Sequence, residues 1–489
     1  MNQQFEQVLT SSWQERQDFA ERMLPLIGSL YRNHAVEIML YGRTLLNASA
    51  IDIIKAHRSV RLFAGEKLRL RESWPLLEAV SKMQLSNCEI DIGKLAVEFY
   101  AQQSTSPNSD CLDLDAFLRK ALQQVLDKDD VQAPKDVVLY GFGRIGRLLA
   151  RLMIERQGQA NKLRLRAIVV RGGREGDLEK RASLLRRDSV HGPFNGSITV
   201  DTQRNAIKAN GSYIQVIYAN HPSELDYTKY GISDAIVVDN TGMWRDRDGL
   251  SEHLKAKGVA KVLLTAPGKG DIKNIVHGVN HGDIDSTDTI LSAASCTTNA
   301  ITPVLQALDK RYGIENGHVE TVHSFTNDQH LIDNYHKADR RGRAAPLNMV
   351  ITETGAAKAV SKAYPALEGK LTGNAIRVPT PNVSMAILNL NLSVNDAQDR
   401  FNKDSLNEFL RDASLFSELQ HQIDYTASKE IVSSDLVGTR AAAVVDSQAT
   451  IVAGNRATLY VWYDNEFGYS CQVLRVVRDM AGVNMLSVP

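Results

Sequence analysis

Cysteine is scarce and scattered in this chain. Cys88, Cys111, Cys296 and Cys471 are the only four in 489 residues, and none forms a C-x-x-C pair. That spacing argues against a disulfide framework or a zinc site and fits a reducing compartment. Net charge is missing too: 57 Lys and Arg balance 57 Asp and Glu, which removes any global attraction to nucleic acid or to an anionic membrane surface. No apolar run reaches membrane-spanning length, and the opening Met1-Asn2-Gln3-Gln4-Phe5 lacks the basic-then-apolar profile of a signal peptide. The expectation is a cytoplasmic protein with no metal site and with neither nucleic acid nor membrane as partner. What remains is the composition of a soluble globular protein, 43% apolar and 23% charged, too long for one ordinary core.

The first 132 residues carry helical periodicity and no visible chemistry. Apolar residues recur at three- and four-residue intervals through Phe19, Met23, Ile27, Leu30 and Tyr31, then through Val36, Ile38, Met39, Leu45 and Leu46, then from Leu76 to Phe99. The spacing predicts amphipathic helices and an all-α N-terminal extension. A polar break at 104–110 precedes one more helix, about Leu114 to Leu126. Asp127-Lys128-Asp129-Asp130 and Pro134 then read as a linker. Arg58, Arg61, Lys67, Arg69 and Arg71 form the one local basic excess, which fits an acidic partner, a nucleotide or simply a solvated face.

From 133 to about 295 the pattern becomes that of a nucleotide-binding domain. The apolar strand Lys135 to Tyr140 runs directly into Gly141-Phe142-Gly143-Arg144-Ile145-Gly146, and a helix follows. In that context G-x-G-x-x-G is the dinucleotide fingerprint. Gly141 permits the turn, Gly143 lets the backbone approach a pyrophosphate and Gly146 lets helix and strand close up. The second strand, Leu165 to Val170, ends without the acidic residue that would bind the ribose 2′-hydroxyl of NAD and continues Arg171-Gly172-Gly173-Arg174. Two guanidinium groups there suit a 2′-phosphate, so NADP or both cofactors are expected, unless the arginines merely face water. Thr241 and Gly242, in the turn after the strand Ala235 to Asp239, are cofactor neighbours or a plain structural turn.

The run Ser295-Cys296-Thr297-Thr298-Asn299 stands where a β-rich approach meets a helical pattern from about Thr298 to Arg311. Helix-start amides favour an anion, which biases a thiol there towards thiolate. A buried free cysteine at a helix cap is the bland alternative. His323 ends a β-like run in the same stretch of chain and is a candidate base for Cys296.

Taken together, GFGRIGR, RDSVHGPF (187–194), TAPGKG, ASCTTN, VHSFTNDQ, RRGRAAPLN (340–348), TGAAKAV (354–360), GKLTGNAIRVPTPNVS (369–384) and WYDNEFGYS (462–470) resemble the phosphorylating glyceraldehyde-3-phosphate dehydrogenase family, in its order, from about residue 135 to the end. The resemblance implies an α/β Rossmann-type NAD(P)-binding domain (133–295) completed by a C-terminal segment (460–489), and an α+β catalytic domain (296–459). Cys296 would attack the aldehyde of glyceraldehyde 3-phosphate, with His323 as its base. Thr326 and Arg377 would hold the substrate's phosphate. Ser295, Thr297, Thr354 and Gly355 would hold the attacking inorganic phosphate, Arg341 would serve both, and Asn465 would orient the nicotinamide. Arg144, Ile145, Arg171 and Gly172 would join the cofactor's neighbours. The loop from Asn327 to Asn348 would reach a neighbouring subunit, implying a homo-oligomer. Asn334-Tyr335 stands where NAD-specific members carry Leu-Pro, and Ala300 replaces a second cysteine that many members carry.

Two rival readings follow. Erythrose-4-phosphate dehydrogenase, a relative that hydrolyses its thioester, is favoured by Asn327 to Asp333 but opposed by Thr326, Thr354 and Gly355. A regulatory or binding protein on the same scaffold, with residues 1–132 as its working part, is opposed by the intact Cys296 and His323.

Overall fold

Strand and helix alternate after Lys135 as the hydrophobic pattern requires, and the strands assemble into two large sheets. The structure, a computed structural model, describes residues 3–65, 67–105, 113–127, 132–156, 162–394 and 401–488, with side chains from residue 9 on. Cys111, most of the polar break before it and Lys128-Asp129-Asp130 of the expected linker lie outside the described residues. Two compact units result. The first comprises 1–134, 156–162 and 484–489, the second 135–155 and 163–483.

The first unit opens on the helix Gln3–His34, whose apolar stripe (Ala20, Met23, Ile27, Leu30) is buried as its spacing predicts. The unit is not all-α, however. Val36–Leu40, read above as helical, is a strand; so is Cys88–Asp91, which splits the expected Leu76 to Phe99 pattern between the helices Leu70–Val80 and Ile92–Thr105. All nine residues of these two strands are buried. A strand buried on both faces shows no alternation, and so a short apolar run does not reveal its period. The sheet order is Arg43–Thr44, Val36–Leu40, Cys88–Asp91, Leu486–Val488, the last three parallel. The chain's final strand therefore closes a sheet begun at its N-terminus. Inside this unit the buried carboxylate of Glu37 is gripped by both terminal nitrogens of Arg156, at 2.9 and 3.1 Å.

In the second unit, one sheet runs Ile290–Ser292, Val259–Leu264, Ala235–Asp239, Lys135–Tyr140, Leu163–Val170, Ser212–Tyr218, Ala206–Ala209, Ile198–Asp201. Its first six strands are parallel and the last two antiparallel. The chain builds outwards from Lys135–Tyr140 and then returns to that strand's other side with Ala235–Asp239. That is a switch point, the place where a doubly wound sheet opens a crevice. The helix Phe467–Ala481 packs its apolar face (Val473, Val476, Val477, Met480) into this sheet's core. The second sheet is mixed. An interior strand, Ile314–Ser324, lies between Leu371–Val378 (parallel) and Ser384–Leu392 (antiparallel), and the helix Cys296–Tyr312 packs on the same core. This is the Rossmann-type plus α+β architecture expected from the motifs.

Candidate active site

The helix expected from about Thr298 starts two residues earlier than its periodicity suggests, at Cys296, which puts the thiol in the first turn. Ser295 is the N-cap: its hydroxyl accepts from the Thr298 amide at 3.0 Å and lies 2.7 Å from the Thr298 hydroxyl. The turn leading in is tight. Ala294 adopts φ +55°, unusual for a residue with a Cβ, and its carbonyl accepts from the Tyr469 hydroxyl at 2.9 Å. Asn299 is buried and donates to the carbonyls of Ala293 and Ser295 at 2.8 and 2.9 Å; it holds the turn.

His323 reaches the same point from the strand Ile314–Ser324 of the mixed sheet. Its Nε2 lies 3.6 Å from Cys296 Sγ. The parallel register places Arg377 directly beside it, with Nη1 3.2 Å from the Ser324 carbonyl, which also lies 2.7 Å from His323 Nδ1. If Nδ1 carries the proton, it and Arg377 both donate to that carbonyl and Nε2 keeps a lone pair facing sulfur. The other tautomer would let Arg377 donate to Nδ1 at 3.0 Å but would aim an N–H at the thiol. The first arrangement satisfies more groups and suits a base. Burial pushes the Cys296 thiol up, against the pull of Arg377 and of the Thr297 hydroxyl and amide. Burial, aided by Arg377, pushes His323 down to about 3. Burial works against the charged form of each group, while the 3.6 Å separation lets a proton pass from sulfur to Nε2.

Around this pair the site residues divide. Thr297 shares a hydrogen bond of 3.0 Å with the hydroxyl of Tyr463, whose ring stands edge-on to His323. Thr326 and Arg341 both donate to Asp328, so two expected phosphate holders already grip an anion. Against the effect of burial, these two groups and Arg377 keep the Asp328 carboxyl below its usual range. Buried Nε atoms of Arg341 and Arg377 have no protein partner, leaving donors for a ligand. Thr354 and Gly355 open the helix Ala356–Ala363, which packs against the Cys296 helix. Asn465 accepts from the Ser384 hydroxyl at 2.8 Å, which in turn accepts from the Ser324 amide at 3.1 Å. Tyr463, Ser384 and Asp328 were not foreseen as site residues, although all three lie within the family motifs.

The cofactor turn fits a dinucleotide. Gly141 has φ +96°, and a side chain there would meet Thr241 and the Asn240 backbone. A Cβ on Gly146 would come 2.4 Å from the Gly141 carbonyl oxygen, whereas one on Gly143 would meet nothing within 4 Å: the cradle is closed below and open where a pyrophosphate would lie. Thr241 is fixed by Asp239, which accepts from its amide and hydroxyl at 2.7 and 2.6 Å, and Gly242 follows with φ +63°. Arg171, Gly172 and Arg174 are exposed beyond the second strand, and Asp177 folds its side chain over Gly173 while accepting from Arg181 at 2.5 Å. Ile145 is half-buried against the Rossmann core. Arg144 does not reach into the open cradle; its guanidinium is held by Asp188 and Glu466. Among the described residues no cluster of His, Cys, Asp or Glu is arranged to hold a metal, and no helix is long and apolar enough to cross a membrane.

Comparison with known proteins agrees with this geometry. Residues 135–247 match the family described as glyceraldehyde 3-phosphate dehydrogenase, NAD binding domain, and 295–465 match its C-terminal domain. A "glyceraldehyde-3-phosphate dehydrogenase-like protein" of Pseudomonas aeruginosa is 58% identical over 96% of this chain and all of its own length, a match that extends into the N-terminal unit. "Glyceraldehyde-3-phosphate dehydrogenase 2" of Trichormus variabilis is 41% identical over 71% of this chain and 98% of its own. The chloroplastic "glyceraldehyde-3-phosphate dehydrogenase A" of Zea mays is 40% identical over 70% of this chain and 81% of its own. A thiol and an imidazole 3.6 Å apart beside a dinucleotide cradle, in a chain matched by both domains, make the assignment plain: this oxidoreductase belongs to the glyceraldehyde-3-phosphate dehydrogenase family.

Proposed function

We propose that the protein converts glyceraldehyde 3-phosphate, inorganic phosphate and NAD(P) reversibly to 1,3-bisphosphoglycerate. The observation that carries this reading is the Cys296–His323 pair at a helix N-terminus with Arg377 behind it. As Sγ attacks the aldehyde carbon, Nε2 takes the thiol proton, and the imidazolium then donates to the oxyanion of the thiohemiacetal. His323 takes the hydroxyl proton as the hydride leaves, and a thioester on Cys296 remains. When bound, the nicotinamide supplies the hydride acceptor. Phosphate attacks the thioester carbon, the C–S bond breaks, and His323 returns the proton to sulfur. Thr326 and Arg377 hold the substrate's phosphate, Ser295, Thr297, Thr354 and Gly355 the incoming one, and Arg341 serves both. Burial around the pair disfavours water, which would hydrolyse the thioester.

Three finer readings go with it. NADP is used alongside or in place of NAD: Arg171 and Arg174 are exposed at the strand's end, and the nearby Asp177 carboxylate is already paired with Arg181. The protein assembles with copies of itself, because the loop after Thr326 exposes Leu331 (76%), Ile332 (75%), Tyr335 (86%) and Leu347 (82%), an apolar surface that a second subunit would cover. It works in the cytoplasm, which suits the free thiols of Cys88 and Cys296.

An assay with glyceraldehyde 3-phosphate and each dinucleotide in turn, with and without phosphate, tests the function. Phosphate-dependent reduction of NAD or NADP is expected. Undiminished acid production without phosphate would point to the thioester-hydrolysing relative, and a strong preference for NAD would reject the NADP reading.

A further inference from the structure

Three motifs that are far apart in the chain meet in one buried ion network. Arg144, the first residue of the fingerprint helix, sends Nη1 to Asp188 at 2.5 Å, Nε to Glu466 Oε1 at 3.0 Å and Nη2 to Glu466 Oε2. His191 adds its Nε2 at 3.1 Å from the same Glu466 oxygen. Asp188 in turn accepts from the amides of Val190 and His191, both at 2.9 Å. The three charged side chains are mostly buried, Arg144 being 21% exposed, Asp188 5% and Glu466 17%. Were Arg144 to leave for a pyrophosphate, two buried carboxylates would lose their cation, so it is poorly suited to be a phosphate ligand.

The other end of this network lies next to Asn465. Asp464 accepts from the amides of Glu466 and Phe467 at 3.0 and 2.8 Å, and from the Asn382 side chain at 3.0 Å. Asn465 thus sits between two pinned neighbours, with its own side chain anchored on Ser384. We infer that Arg144, Asp188, His191 and Glu466 form a positioning network that sets the Asn465 carboxamide against the glycine cradle, making the nicotinamide end of the dinucleotide site depend on the pyrophosphate end. The inference rests on the reading of Asn465 as the residue facing the nicotinamide. Fork geometry makes the link stiff: the bidentate Arg144–Glu466 pair resists rotation where a single hydrogen bond would not.

The test compares ligands that do and do not carry a nicotinamide. Calorimetric titration of the full chain and of Glu466→Gln would use NAD against ADP-ribose, and NADP against 2′-phospho-ADP-ribose. The network predicts that Glu466→Gln weakens the nicotinamide-bearing ligand about tenfold and leaves its truncated counterpart within about twofold. It also predicts that kcat falls while the KM for glyceraldehyde 3-phosphate holds. Arg144→Lys, which keeps the charge and loses the fork, should show the same split, with thermal melting confirming that both variants fold. Equal weakening of both ligands, or of neither, would overturn the network while leaving the proposed function standing. A wild-type protein that binds none of the four would overturn both.

Discussion

Cys296 and His323 are each set in an environment that resists their own charge, so neither explains reactivity alone. Burial raises the thiol and lowers the imidazole to about 3, and the proton can leave sulfur readily only by passing to Nε2. Removing the acceptor should therefore shift thiol reactivity to higher pH. For His323→Asn, alkylation of Cys296 by iodoacetamide at pH 7 should slow at least about tenfold and then climb with pH towards the raised thiol range. Mass spectrometry of the labelled peptide follows it, and a pH 7 rate equal to wild type would show that the helix N-terminus and Arg377 activate the thiol without the histidine. Much of this site is legible residue by residue, because Cys296, His323, Thr326 and Arg377 each stand in a run of distinctive chemistry. Asp328 shows the limit. Two residues beyond Thr326, it looks like an ordinary loop carboxylate until the fold brings Arg341 back onto it.

At the scale of elements, the fingerprint turn separates two jobs that its glycines share in the motif. Gly146 is required by packing, since any Cβ would strike the Gly141 carbonyl, and a backbone oxygen cannot swing aside as a side chain can. Gly146→Ala should destabilise the protein by about 2 kcal/mol, an overpacking cost visible as a lower Tm. Gly143 borders open space, so Gly143→Ala should melt with wild type yet bind dinucleotide more weakly, because its methyl would occupy the pyrophosphate's place. Equal melting and equal binding in both variants would refute this division. Element types were legible where one face is buried and the other wet, as in the helix Gln3–His34. They failed for Val36–Leu40 and Cys88–Asp91, where total burial erases the alternation that marks a strand.

Across the whole molecule, the last residues belong to the first unit. Leu486–Val488 pairs with Cys88–Asp91, and Ser487 donates to Glu89 at 2.9 Å. Truncation after Val483 should uncover that strand's edge and with it Cys88, which is fully buried and whose thiol burial raises to about 12. The full chain should leave Cys88 unmodified by a thiol reagent under native conditions, whereas the truncated chain should label there within minutes. Protection of Cys88 in the truncated chain would show the strand to be dispensable. The extension is thus a unit whose sheet is completed by the chain's far end, and removing either end leaves the other incomplete.

By itself the sequence determined the family: which motifs the chain carries and in what order they run. These are properties of short segments, where residue type and spacing already restrict what the backbone can do. Only the tertiary structure decided that Arg144 serves Asp188 and Glu466, that Asp328 occupies its own anion site, and that residues 486–488 close a sheet begun at residue 36. Each of those depends on partners 13 to 398 positions apart, and no local pattern records which distant group a buried charge or an unpaired strand edge will find.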